Sequence, residues 1–346
     1  MRDSTAELVM AFATSDSDLK VIFSGSVDPD SATSPDNYQT ESGLRIVEAA
    51  LAETATNGKN DDEAERVTTH VDLRTEPMNG HLMEVDVLRA EGVQTTDGER
   101  VKNAESRPFL HGIASIPQTQ KPVNREFPFT SRFEGTIATA SCQKDGGVNS
   151  SHLIDALGFS FIHVERGGPF NSLKIVGQKH VPGIEHEVER LAPQGLSPHV
   201  LWSGGEIRTV DGETRLVDSG FMEGSILPAT PKEFPPPHPI TVAEISGKHA
   251  RTWRAKRFQG VIVRFDDVEI RQVADPRPYR DEVAGPAVRR FRFSDRSGSE
   301  LDAVALDTVT HQLEPGQRFQ SIRTIVHQPQ AGHYEAIVEM DKHLIA

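Results

Sequence analysis

The side chains with the clearest chemical potential in this 346-residue chain are arginines on alternate positions of apolar runs. In Arg289–Ser294 (RRFRFS), strand alternation puts Arg290 and Arg292 on one face and Phe291 and Phe293 on the other. Arg264 stands in the same relation to Val263 and Phe265 in VIVRFDD. A row of guanidinium groups suits phosphates and carboxylates, which each group grips through two parallel hydrogen bonds. Stacking partners are scarce. Of the two tryptophans, Trp202 in HVLWSGGEI is a candidate ligand contact, though it reads more simply as core or inter-module packing. Asp266, Asp295 and Asp302 lie close enough in sequence to pair the arginines, which weighs for a solvated salt-bridged face over a ligand site.

A second candidate is a calcium site at Asp28, Asp30 and Asp36, because hard oxygen ligands in a loop suit that ion. Their spacing is not that of an EF-hand, and aspartates fixing turns through their own backbone is the simpler expectation. His180, Glu185 and His186 form the nearest approach to a transition-metal set. On a helix, adjacent Glu185 and His186 diverge by roughly 100°, which fits a surface helix better than a metal site. There is no G-x-S-x-G, Walker A or H-E-x-x-H motif. GFSFI lacks the second glycine of a nucleophile elbow, so Ser160 reads as an ordinary strand residue. The lone cysteine, Cys142, excludes an intrachain disulfide and a cysteine-rich zinc site. The expectation is a non-enzyme with no cofactor beyond the calcium candidate.

Positioning these residues falls to β-structure. Aromatics are 6% of the chain, and 27 glycines with 22 prolines suit short strands joined by turns. The formal charge of −14 is uneven. Residues 1–108 hold 10 basic against 22 acidic residues, 109–231 hold 10 against 13, and 232–346 hold 17 against 16. Acidity belongs to the first part and arginine to the last, so a polyanion site is expected only near the C-terminal end. No apolar run has membrane-span length, and the N-terminal segment lacks a basic n-region with a long apolar stretch, so no signal peptide is read in this chain.

Strands are expected over Leu19–Phe23, Leu44–Leu51, Arg66–Leu73 and within His81–Leu88, with the polar run 53–65 as a long loop. The stretch KVIFSGSVDPDSATSPDNYQTESGLRIVEAAL resembles the bacterial Ig-like domain of S-layer and other secreted surface proteins. Phe23, Ser24, Val27, Asp28, Ser31, Ala32, Asn37 and Tyr38 carry that resemblance. It implies a β-sandwich over residues 1–108 that serves as a spacer or adhesion module, at the cell surface or outside it.

Further on, three strands, an expected helix (GIEHEVERLA) and two strands over 109–231 follow the order of an OB-fold, the five-stranded Greek-key barrel. After a Pro-rich linker and short helix over 232–256, the pattern returns over 257–346. RFEGTIATA at Arg132 and RFQGVIVRF at Arg257 are 125 residues apart, and Phe159 and Phe291 are 132 apart. The run FQGVIVRFDDVEI…FRFSDRSGSELDAVAL…LEPGQRFQSIRTIVHQ resembles OB-fold modules of secreted bacterial proteins, including those beside extracellular nucleases. The expected fold class is all-β, an Ig-like sandwich plus two small OB-like barrels. Its expected function is a non-catalytic binding and spacing segment. One alternative is recognition of a polyanion, single-stranded nucleic acid or cell-surface polymer by the last barrel through Arg264, Arg290 and Arg292. Another is a hydrolase with an inter-module site that the sequence does not name.

Overall fold

The computed structural model describes residues 6–57, 66–78, 85–103, 108–112, 116, 119, 129–137, 159–164, 166–176, 187, 190, 191, 194, 196–210, 212–217, 223–226, 232, 233, 235–278, 287–306, 313–338, 344 and 345. The chain is all-β. Its first part contains β1 (Glu7–Ala13), β2 (Asp18–Phe23), β3 (Tyr38–Thr40), β4 (Ile46–Asn57), β5 (Arg66–Thr75), β6 (Val85–Asp86), β7 (Leu88–Ala90) and β8 (Lys102–Asn103). One sheet runs β4-β5-β2-β1-β8, and β3 pairs with β7 as a second, smaller layer. Alternation in DLKVIF sends Leu19, Val21 and Phe23 into the space between the layers, where they meet Val71, Leu73, Tyr38 and Leu88. Ile22, on the opposite face, packs with Met10 and Phe12. The polar run expected as a loop is shorter than that. β4 continues to Asn57, which pairs with Arg66 of β5, because Thr-rich ETATN can extend a hairpin whose ladder is already formed.

The sandwich is tied to the next part of the chain through β9 (Phe109–Leu110), which pairs antiparallel with β6 and parallel with β10 (Phe129–Ile137). Phe109 is fully buried in the sandwich core. Asp86 of β6 accepts from Ser42 N (3.0 Å) and Val87 N (2.7 Å), and lies 2.9 Å from His111 Nε2. Its burial would raise the carboxyl pKa, but hydrogen bonds from Ser42, His111 and Val87 outweigh it and hold Asp86 below the usual range.

β10 then opens a barrel with β11 (Phe159–His163), β12 (Ser172–Val176), β13 (Leu196–Ser197), β14 (His199–Val210), β15 (Glu213–Val217) and β16 (Glu223–Ile226). The ring runs β10-β11-β12-β15-β14 and closes on β10, with β12 and β15 parallel. Between the barrels come β17 (Lys232–Glu233), which pairs with β13, and β18 (His238–Pro239), which lies parallel to the next barrel's first strand. That second barrel contains β19 (Ile262–Val273), β20 (Arg277–Pro278), β21 (Ala287–Ser294), β22 (Glu300–Leu306), β23 (Arg318–Gln330), β24 (His333–Val338) and β25 (Leu344–Ile345). Its ring is β19-β21-β22-β24-β23 and back to β19, with β22 and β24 parallel. Both rings therefore have the order first, second, third, fifth, fourth, which is OB-like.

The two barrels repeat in topology, but the shared phrase does not mark equivalent positions. RFEG lies inside β10, with Gly135 opposite Val200. RFQG ends before β19 begins, and Gly260 sits at φ +69° between Phe258 and the strand. The Pro-rich stretch is also less a free spacer than expected. It packs on the first barrel, where a Cβ at Gly167 would come within 2.9 Å of Pro236 O. After it, Thr241 and Glu244, spaced as T-x-x-E, form a capping box on a short 3-10 turn. The expected helix 183–192 is helical at Glu187, Arg190 and Leu191, and its other residues lie outside the described residues.

The second barrel's core contains Phe258, Phe265, Phe291 and Phe293. Phe265 is fully buried, with its ring centroid 5.3 Å from that of Phe293. Phe265→Ala should cost about 3–5 kcal/mol, read as a lower denaturant midpoint for the transition that includes this barrel.

Candidate functional site

The arginines expected to form one face are divided by the path of β19. Its first half, Ile262 to Glu269, pairs with β23, and only Glu269 to Val273 pairs with β21. Arg264 consequently stands opposite Arg323 of β23, on a different side of the barrel from Arg290 and Arg292. Arg290 and Arg292 do share the outer face of β21, with Phe291 and Phe293 turned into the core as expected. Each of the three arginines has an acidic partner. Arg264 Nε is 2.8 Å from Asp266, Arg292 Nε is 2.7 Å from Asp302, and an Arg290 guanidinium nitrogen is 3.2 Å from Glu335. Asp295 pairs with none of them and instead accepts from Val242 N at 2.7 Å. At the end of this barrel is an open hollow of about 490 Å³, lined by Asp267, Glu269, Asp295, Arg271, Arg296 and Arg318 among others. There Glu269 already bridges Arg271 (2.6 Å) and Arg318 (3.1 Å).

The calcium candidates do not converge. Asp28 caps the short helix Pro29–Ala32, accepting from Ser31 N at 2.9 Å, while Asp30 is in the helix's first turn and Asp36 in a separate 3-10 turn. Among the described residues no three His, Cys, Asp or Glu side chains form a group able to hold a metal ion. His180, Glu185 and His186 lie outside the described residues. Trp202 is in β14, in register with Phe133 and Gly224.

The densest set of buried polar groups lies where the barrels meet. Phe161 of β11, Lys174 of β12 and Arg215 of β15 stand in one cross-strand row, so their side chains share a face. Leu173, Ile175 and Leu216 alternate into the first barrel's own core, which leaves the row on the outside. Against it the second barrel sets His327 of β23 and Glu335 of β24, which are also in register. Lys174 Nζ is 3.1 Å from Glu213 Oε2 and 3.4 Å from His327 Nδ1. Arg215 Nε donates to Glu213 Oε2 at 2.8 Å. His327 Nδ1 is 3.7 Å from Glu213 Oε1, and His327 Nε2 is 3.9 Å from Glu335 Oε1. Lys174, Glu213, His327 and Glu335 are all at or below 5% exposure, so they act on one another out of bulk water.

Gly260 is what lets the surfaces close. A Cβ there would sit 2.6 Å from Ser172 Oγ and 2.7 Å from a Phe161 ring carbon. Its φ of +69° is also strained for any other residue. The backbone joins in as well, with Phe170 N donating to Arg257 O at 2.7 Å.

The protonation states follow from the partners. A lysine ammonium has only donors, so His327 Nδ1 accepts from it and the imidazole proton lies on Nε2, toward Glu335. His327 is thereby neutral. Burial holds its pKa below the free value, and Lys174 works in the same direction against Glu213 and Glu335. His163, fully buried on the same face as Phe161, is pushed by burial down to about 3. Burial would raise Glu213, but the cations Lys174 and Arg215 against it outweigh that and keep this carboxyl below its usual value. Sequence reasoning singled out none of these residues. The available signal was one charged residue in an otherwise apolar run, as in SLKIV and YEAIV, which implies a partner across the face.

Fold and site together define an all-β protein with tandem OB-like barrels whose facing surfaces bury the Lys174–Glu213 ion pair against His327. No model of a known protein family matches the sequence, and no curated protein matches it. Among solved structures, the chain is similar to the N-terminal part of the bacterial S-layer protein SbsC, with 14% identity, a TM-score of 0.22, and 62% of this chain and 44% of that chain covered. For domains 1–6 of the same surface-layer protein the values are 13%, 0.24, 86% and 34%. For fission yeast Pot1 with single-stranded DNA they are 8%, 0.24, 65% and 83%. The chain spans less than half the length of the S-layer chains it matches. Likenesses this distant carry no functional inference to this chain.

Two outcomes are expected of the inter-barrel contact. Glu213→Gln leaves Lys174 buried beside a neutral amide and should cost about 3–5 kcal/mol in denaturant unfolding, with much of the loss recovered by adding Lys174→Met. The second concerns pH. His163 and His327 have folded values below the free imidazole's 6.5, so the unfolded chain binds protons that the folded chain refuses. Their contribution is whole above pH 6.5 and is lost as pH falls below it. Glu213, depressed below 4.5, gives stability above that pH that is lost as pH falls through its folded value. The melting temperature should therefore fall as pH is lowered from about 7 toward about 4, and His163→Phe should flatten that slope.

Proposed function

We propose that this chain is a non-catalytic binding and spacing segment, in which an Ig-like sandwich and two OB-like barrels hold binding surfaces at fixed separation outside the cell or on its surface. The observation that carries this reading is the Lys174–Glu213–His327–Glu335 contact. Charged groups buried between two barrels, with a glycine where any side chain would collide, favour one relative orientation over all others. The same contact occupies the outer face of β11 and β12 with protein, and a spacer benefits from such rigidity in a way that a hinged pair would not. The extracellular placement rests on the resemblance of the Phe23–Tyr38 stretch to surface-protein Ig-like domains. Each arginine of the second barrel that the sequence offered as a ligand contact already holds a carboxylate, which does not favour that face as the binding surface.

Small-angle scattering on the whole chain tests the spacer. The distance distribution should stay unchanged between low and high salt, because the buried pairs are screened far less than surface ones, and should broaden in Glu213→Gln. A distribution already broad in the native chain would remove the reading. So would phosphodiester or glycosidic turnover abolished by one substitution.

A further inference from the structure

The segment between Glu244 and Asp266 contains Lys248, Arg251, Arg254, Lys256, Arg257 and Arg264 and no acidic residue, in a chain whose formal charge is −14. Its first part, ahead of β19, is placed outside both barrels. A 3-10 turn (Gly247–His249) is followed by one helical turn (Trp253–Lys256) that leads to the buried Phe258. Trp253 is 57% exposed and is the most exposed large apolar side chain among the described residues.

That exposure is held in place. Trp253 and Arg257 are four residues apart on a helical turn and therefore neighbours. The Arg257 guanidinium lies 5.7 Å from the Trp253 ring centroid and 4.5 Å from that of Phe258, with Glu244 3.3 Å away. One cation thus fixes the indole from the protein side and leaves the rest of the ring to solvent. Around it, Lys248, Arg251 and Arg254 are exposed. Among the described residues, none of the three has a carboxylate within ion-pair distance, in contrast to Arg264, Arg290 and Arg292. Arg251 is anchored over the β23–β24 turn, where a Cβ on Gly332 would come within 2.6 Å of its Cγ.

We propose that Lys248, Arg251, Arg254 and Trp253 form a binding surface for single-stranded nucleic acid, with the three cations on phosphates and the indole stacked on a base. Unpaired cations alone would accept any polyanion. A rigid, exposed indole among them favours a polymer that has an aromatic face at each repeat. A duplex buries those faces, and a base-free polyphosphate has none. This deepens the proposed function by naming a partner for the binding segment, yet it uses residues outside the barrel faces.

The test is fluorescence anisotropy of a labelled short oligothymidylate with the whole chain. Binding is expected at low salt, with log K falling on log salt by a slope of about −2 for three phosphate contacts. Lys248→Ala/Arg251→Ala/Arg254→Ala should flatten that slope and abolish most binding. Trp253→Ala should weaken affinity roughly ten-fold, while Trp253→Phe retains most of it. Arg290→Ala/Arg292→Ala should leave it unchanged. Unchanged circular dichroism and melting temperature check that the variants fold. The proposal is overturned by no binding at low salt, or by binding lost in the Arg290/Arg292 variant and kept in the others. It is also overturned by equal competition from inorganic polyphosphate together with indifference to Trp253→Ala. None of these results bears on the spacer reading, which stands or falls on the scattering.

Discussion

One contact sets the arrangement of the second half of the chain: an ammonium, a carboxylate and a neutral imidazole buried between two barrels. Lys174 cannot remain charged there without Glu213, and Glu213 cannot remain ionised without Lys174 and Arg215. The arrangement costs desolvation; its ion pairs lie within the first barrel, Lys174 and Arg215 on Glu213, and the contact that crosses between the barrels is Lys174 with His327 Nδ1. Gly260 and the backbone bond from Phe170 to Arg257 are the steric and polar conditions for that approach. Neutral His327 completes the set, accepting on one nitrogen and presenting its proton toward Glu335 on the other.

The contact also sorts the surfaces. The outer face of β11 and β12 is occupied by the neighbouring barrel. On β21, Arg290 and Arg292 are tied to Glu335 and Asp302. Glu335 reaches both His327 and Arg290, so the arginine that looked available for a ligand is coupled to the inter-barrel network. Lys248, Arg251 and Arg254, exposed on the short segment before β19, have no carboxylate within ion-pair distance among the described residues.

Much of the architecture was legible in the residues. Alternation in LKVIF, FRF and VIVRF gave strands and the buried side of each, and Phe291 and Phe293 do point inward. The Thr241–Glu244 capping box is formed as its spacing implied. Two barrels were readable from the recurring strand pattern, although RFEG and RFQG, the most alike words of the two copies, occupy different places. The reason is that a strand's position in a closed ring is set by its partners, and similar words can lie inside one strand and ahead of another. The polar run after Leu51 misled for a related cause. Residues with weak strand preference follow a ladder that stronger neighbours have begun.

By itself the sequence determined the periodicities, the acidic first part, the arginine-rich last part and the run of cations around Trp253, because these depend only on residue type and spacing. Tertiary structure alone decided which charges meet. Lys174 and His327 are 153 residues apart, and no local rule pairs residues at that distance. Register across two barrels brings them within 3.4 Å. It also moves Arg264 away from Arg290, leaves Asp28 capping a helix, and leaves Trp253 in solvent beside cations that have no carboxylate to satisfy them among the described residues.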